Sequence, residues 1–362
     1  MPAQDAYDKN EMRARLQSWL ATKLPDATEV TINDLAAPEA TGHSSETIMI
    51  DATWREGGEL EGGTTVEASL VVRTKPTGHT VFPTYDLAQQ FEVMRRVSEA
   101  APRLPMPPLR WMEPSDEPLG REFLVMDKVP GVVPPDNLPY TMGGWLLEAT
   151  PEQQRHLQDA SVDTLADLHA IDWRAAGLDL LEAPEYGSIG LDQQLGWWER
   201  FLEWGRMGRR QPTLDRMAEW LRANRPGDEP EPVLNWGDAR IGNMLYRDFE
   251  PVAVLDWEMA TLGPREVDLA WMVLFEHFFS AHLGMPNLPG FASQDEVVAR
   301  YEARSGYAVA PLDWYLLWGA FRYAAVMMRI VQAADLAGND IGFTESDNVA
   351  ITMLEGLEAK FC

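Results

Sequence analysis

The stretch Asn235-Trp236-Gly237-Asp238-Ala239-Arg240-Ile241-Gly242-Asn243 constrains this chain more than any other, together with the run Pro251-Val252-Ala253-Val254-Leu255 and the Asp256-Trp257-Glu258 that ends it. An aspartate five residues before an asparagine can place a base beside a metal ligand on one tight loop, and a second aspartate arrives at the end of a short apolar run. Neutral and charged side-chain oxygens suit a hard cation such as Mg²⁺. Phosphoryl transfer makes this demand: it needs little covalent help from protein, but it needs a base at the acceptor hydroxyl and Mg²⁺ bridging the nucleotide phosphates.

The order of these groups matches the protein-kinase catalytic loop and its metal-binding aspartate. More narrowly, Trp236-Gly237-Asp238-x-x-x-x-Asn243 with Asp256-Trp257-Glu258 resembles the aminoglycoside phosphotransferase and choline kinase-like family, over nearly the whole chain. The family signature ordinarily begins with histidine where this chain has Trp236, a position that mainly packs and orients the loop. The resemblance implies an α+β, two-lobed protein kinase-like fold with a small antiparallel-sheet N-lobe and a larger, mainly helical C-lobe. Residues 1–126 become a nucleotide-binding lobe with a lead-in helix, 127–131 the linker, and 132–362 the catalytic and substrate-binding lobe. At 362 residues and 45% hydrophobic, the chain has the material for two lobes.

The implied reaction is Mg²⁺-dependent transfer of the γ-phosphate of ATP or GTP to a hydroxyl of a small molecule. Aminoglycosides are one acceptor class beside amino alcohols, sugars and macrolide-like compounds. Asp238 is expected as the catalytic base, with Asn243 and Asp256 as the metal ligands. Arg240 stands where a protein kinase carries its catalytic-loop lysine, placed to neutralise charge on the transferred group. Glu258 suits a metal-bound water or loop orientation, and Asp268 resembles the family aspartate that braces the catalytic loop.

In the N-lobe, Gly42, Ser44 and Ser45 lie in a short loop where such folds cover the phosphates, although a Gly-Ser segment is by itself an ordinary turn. Arg73 occupies the position of the phosphate-binding lysine, and Lys75 shares its strand face. Gln90 stands where a partnering glutamate is usual, with Glu92 two residues later. At the linker the main chains of Asp127 and Val129 are the expected partners of the nucleotide base.

Helices are expected from Asp8 to Leu24, Tyr85 to Ala101, Pro151 to Ile171, Arg265 to Leu283, Asp295 to Ser305, Leu312 to Ala334 and Thr344 to Phe361. Strands are expected at Thr28–Leu35, Thr47–Trp54, Val66–Thr74, Leu109–Met112 and Glu122–Met126. Trp197, Trp198, Phe201, Trp204 and Trp220 fit two helices and read as packing groups rather than substrate contacts. His169 reads likewise.

The formal charge of −27 argues against binding nucleic acid, which needs basic clusters that release counterions. It would also steer a cationic acceptor, although scattered carboxylates ordinarily serve solubility. Cys362 is the only cysteine, so no intramolecular disulfide can form. No apolar run approaches the roughly 20 residues that span a bilayer, and Met1–Glu11 lacks a signal-peptide core, giving the expectation of a soluble, cytoplasmic protein without a membrane partner. Nucleophile-elbow, zinc-protease and Walker motifs are absent. The rival reading is a non-catalytic nucleotide-binding regulator of the same fold; retention of Asp238, Asn243 and Asp256 weighs against it.

Overall fold

The computed structural model describes residues 9–36, 46–57, 63–76 and 78–362. They form two compact units, each with its own core.

The first unit holds the described residues up to Gly78, with Tyr85–Glu92 and Pro107–Val129. Helix α1 (Lys9–Lys23) precedes strands β1 (Ala27–Ala36), β2 (Glu46–Glu56) and β3 (Thr64–Thr74); after α2 (Leu87–Ala100), whose first turns belong here, come β4 (Leu109–Glu113) and β5 (Phe123–Asp127). The sheet is antiparallel throughout, in the order β1-β2-β3-β5-β4. Alternation along β3 buries Leu70, Val72 and Thr74 on one face and leaves Val71 and Arg73 half-buried on the other. Ile48, Ile50, Ala52 and Trp54 of β2 join the same core, which α1 covers with Leu16, Trp19 and Leu20. Trp19 packs edge-on against Phe123 at 4.8 Å, and its indole N–H is satisfied by Glu113 at 2.8 Å.

The second unit, mainly helical, begins its long stretch at Pro130. It contains α3 (Trp145–Glu148), α4 (Pro151–His169), α5 (Leu191–Gly205), α6 (Pro212–Ala223), β6 (Val233–Asn235), β7 (Met244–Arg247), β8 (Glu250–Val254), β9 (Thr261–Gly263), α7 (Arg265–Phe278), α8 (Gln294–Ser305), α9 (Asp313–Ala337) and α10 (Val349–Phe361). The α4 start is fixed by a reciprocal cap between Thr150 and Gln153 with Pro151 in the first turn; Ser293 and Glu296 repeat the device at α8. Trp198, Phe201, Trp314 and Trp318 are buried in this unit's core, while Trp204 is partly exposed.

Two expected helices are shorter than their apolar patterns. The segment after Phe278 turns and re-forms as a 3₁₀ turn at Ala281–Leu283, ending at Gly284 in the left-handed region. At the last helix, Asn348 accepts hydrogen bonds from the N–H groups of Ala350 and Ile351 and so sets the start at Val349 rather than Thr344. Among the described residues, no helix is long and apolar enough to cross a membrane.

Candidate active site

The loop expected to carry the chemistry leaves β6, which pairs with β9, and runs into the β7–β8 hairpin. The hairpin closes over Asp248 and Phe249, both at positive φ, as a tight two-residue turn requires. This brings Asn243, at the start of the hairpin, beside the residues that follow its end: the Leu255 N–H donates to the Asn243 carbonyl at 2.9 Å. Trp236, fully buried, makes a second tie by donating its indole N–H to the Leu255 carbonyl at 2.8 Å. Asp256 itself is held in the left-handed region at φ 62°.

Gly237 has φ +93°, and a Cβ there would lie 2.1 Å from the Met259 carbonyl oxygen, so only glycine permits this approach. Asp268, wholly buried in the first turn of α7, accepts the backbone N–H of Trp236 at 2.6 Å and of Gly237 at 3.0 Å. The third donor to Asp268 is His169 Nε2 at 3.2 Å, which fixes the tautomer, because a carboxylate only accepts; Nδ1 faces the Tyr301 hydroxyl at 2.7 Å.

Asp238 is 18% exposed. Trp271 Nε1 donates to its Oδ1 at 2.7 Å and Arg240 Nε to the same oxygen at 3.2 Å; no hydrogen bond from the described residues falls on Oδ2. Burial raises the Asp238 pKa and the Asp256 charge adds to the rise, against the opposing pull of Arg240, Trp271 and Asn243. Arg240 also pairs with Asp136 at 2.6 Å and lies over the Phe275 ring at 5.5 Å. Burial would lower its pKa, but the charges of Asp238 and Asp136 raise it on balance, so it stays a cation.

Asn243 donates its amide N–H to the Asp238 carbonyl at 3.2 Å, which orients its Oδ1 as the remaining acceptor. That neutral oxygen and the Asp256 carboxylate are a donor set fitted to Mg²⁺. Among the described residues, no group of three or more His, Cys, Asp or Glu side chains is arranged to hold a metal.

Residues 61–315 match the Phosphotransferase enzyme family, APH. The chain belongs to that family. Solved phosphotransferases share its fold: a putative aminoglycoside phosphotransferase from Ralstonia eutropha aligns with TM-score 0.65 at 20% identity, covering 96% of this chain and 94% of that one. The GDP and kanamycin complex of APH(2″)-IIIa aligns with TM-score 0.58 at 13% identity, covering 95% and 98%. Among curated sequences, acyl-CoA dehydrogenase family member 11 of Gallus gallus is 27% identical over 95% of this chain and 42% of its own length. A probable acyl-CoA dehydrogenase of Arabidopsis thaliana is 24% identical over 85% of the chain and 40% of its own. The chain thus spans well under two thirds of these relatives.

The α+β kinase-like fold expected of a phosphotransferase is the one observed. Within the sheet unit of this phosphotransferase, Arg73 sits on the face of β3 opposite Leu70, Val72 and Thr74, and Lys75 is exposed and ion-paired to Glu122 at 2.8 Å. The Asp127 N–H donates to the Pro108 carbonyl and its carboxylate grips Arg110 through both oxygens, whereas the Val129 N–H makes no backbone hydrogen bond among the described residues. Gln90 is buried. Gly42, Ser44 and Ser45 lie outside the described residues.

Three side chains around the loop stand outside its sequence motif. Trp271 follows Asp268 by one helical turn, and that i, i+3 relation was the available signal. Arg322, 1% exposed, is a lone charge in the apolar run Trp318–Met328, itself a warning that it has a task. Asp136 stands in the irregular segment Pro134-Pro135-Asp136-Asn137, and only the fold brings it to Arg240.

Proposed function

We propose that this phosphotransferase is a small-molecule kinase that transfers the γ-phosphoryl group of ATP or GTP to a hydroxyl of its acceptor. The observation that carries the reading is Asp238: a carboxylate that accepts from Trp271 and Arg240 at Oδ1, next to a paired cation and within the field of a second carboxylate. In the reaction, Asp238 takes the acceptor's hydroxyl proton as the new O–P bond forms and the bond to the β-phosphate oxygen breaks, releasing nucleoside diphosphate. The Arg240 guanidinium supports negative charge on the transferred group.

Asn243 and Asp256 would hold Mg²⁺, which supplies positive charge to the phosphate oxygens when bound. Arg73 and Lys75, with the loop of Gly42, Ser44 and Ser45, are assigned to the nucleotide phosphates, and the main chain of Asp127 and Val129 to the base. For the base, the carbonyl of Asp127 and the N–H of Val129 are the groups we assign, since the Asp127 N–H is already given to Pro108.

Purified protein with Mg²⁺ and either nucleotide is to be assayed against hydroxylated acceptors, with products identified by mass. The panel combines aminoglycosides and macrolides, named for the structural neighbours, with hydroxyacyl thioesters, prompted by the relatives' acyl-CoA dehydrogenase names. A phosphorylated acceptor is the expected product. Tight nucleotide binding with no phosphorylated product from any class would favour a regulatory binder instead.

A further inference from the structure

One face of α7 meets the catalytic loop at three successive points. Asp268 takes the N–H groups of Trp236 and Gly237, Trp271 donates to Asp238 Oδ1 at 2.7 Å, and Phe275 lies under Arg240 at 5.5 Å. Spacings of three and four residues stack side chains on one helical face, so these contacts form one rail along which the loop is seated. Behind the indole, α9 supplies Arg322, whose guanidinium lies 4.3 Å from the centre of the Trp271 ring. Among the described residues its Nε and Nη2 have no hydrogen-bond partner, although the residue is 1% exposed.

A buried guanidinium with unmade hydrogen bonds is costly unless its charge is used. Here it has two uses. It packs against the π-face of Trp271 within cation–π range, and its positive charge lies in the field of Asp268 and Asp238. A cation over the ring also polarises the indole, which makes its N–H a stronger donor to the carboxylate.

We propose that the Trp271 indole, backed by Arg322, is the positioning group of the catalytic base: it pins Oδ1 of Asp238 so that Oδ2 is the oxygen presented to the acceptor. The inference rests on Asp238 being the base. Without the indole N–H, Oδ1 keeps, among the described residues, only the longer contact from Arg240, and the carboxylate can turn between orientations of which one is productive.

The test compares Trp271→Phe, which keeps an aromatic ring but removes the donor, with Trp271→His, which restores a ring N–H. Steady-state kcat and nucleotide KM are read with a phosphorylated acceptor, and thermal midpoints are recorded for both variants. The expected result for Trp271→Phe is a fall in kcat of about tenfold or more, the scale of one hydrogen bond to a charged group, with nucleotide KM unchanged within roughly twofold. Trp271→His is expected to recover at least about threefold of that loss. Retention of kcat in Trp271→Phe, or a histidine variant no better than phenylalanine at equal thermal midpoint, overturns the proposal.

Should neither variant fold, indole ¹⁵N–¹H spectra of the unmodified protein and Asp238→Ala replace them: one indole resonance moves upfield if the bond is made, and an unchanged set overturns it. The Asp238→Asn variant separates the two claims. Turnover in it removes the base reading itself, whereas an inactive Asp238→Asn beside a fully active Trp271→Phe removes only the positioning role.

Discussion

Replacing Asp268 by asparagine takes one acceptor away from three donors that converge on a wholly buried carboxylate. Oδ2 accepts from the Trp236 N–H at 2.6 Å and from His169 Nε2 at 3.2 Å, and Oδ1 from the Gly237 N–H at 3.0 Å. An asparagine has one carbonyl oxygen for these three. Its best choice is to turn that oxygen to Trp236 and His169, leaving its own NH₂ against the Gly237 N–H. One charge-assisted hydrogen bond is then lost, two others become neutral, and two buried donors face each other unsatisfied. Hydrogen bonds to charged groups contribute roughly 1.5–3 kcal/mol and an orphaned buried donor costs about 1–3 kcal/mol, so the exchange should cost about 3 kcal/mol or more. Equilibrium urea unfolding should show a lower midpoint at unchanged slope, and kcat should fall at least about tenfold because the turn presenting Asp238 is no longer held. A variant within about 1 kcal/mol of the unmodified protein would refute the claim that Asp268 is the clamp of the loop.

Gly237→Ala should be more damaging than its size suggests, since the new Cβ would meet a backbone oxygen at 2.1 Å in a region with φ +93°. A loss of about 2–4 kcal/mol together with at least tenfold in kcat is expected, and near-normal activity would show that the loop can relax away from Met259. Glu276 gives a pH signature: burial pushes its pKa up to about 8 from 4.5, against one hydrogen bond from Gln158. A carboxyl raised on folding contributes fully below pH 4.5, and that contribution is lost as pH rises through about 8. Glu276→Gln should therefore gain thermal midpoint over the unmodified protein progressively across that window; parallel curves would contradict it.

Elements built on strong periodicity were legible in the sequence, within a few residues, because each has one apolar face or its own caps. Strand order was not: β5 lies between β3 and β4, a pairing that depends on long-range packing and leaves no local mark. At the loop, the spacing of Asp238, Asn243 and Asp256 singled out residues that the hairpin does bring together, since the tie from Leu255 to Asn243 needs only a short return strand. Trp236, departing from the histidine usual in its family, could be read as a packing residue from its size alone; its indole bond to Leu255 could not. Trp271 and Arg322 escaped for a physical reason. Each looks like part of an apolar helix until the two helices α7 and α9 set them side by side. Lys75 shows the converse: its place on the strand face of Arg73 suggested a phosphate contact, and the fold pairs it with Glu122.

The most direct test of the central claim is single-turnover phosphoryl transfer by the unmodified protein and by Asp238→Asn, measured beside nucleotide affinity for both. With Asp238 as the base, the variant should bind nucleotide within roughly twofold of the unmodified protein while its transfer rate falls by about 10² or more. Transfer at a comparable rate in Asp238→Asn would contradict the account.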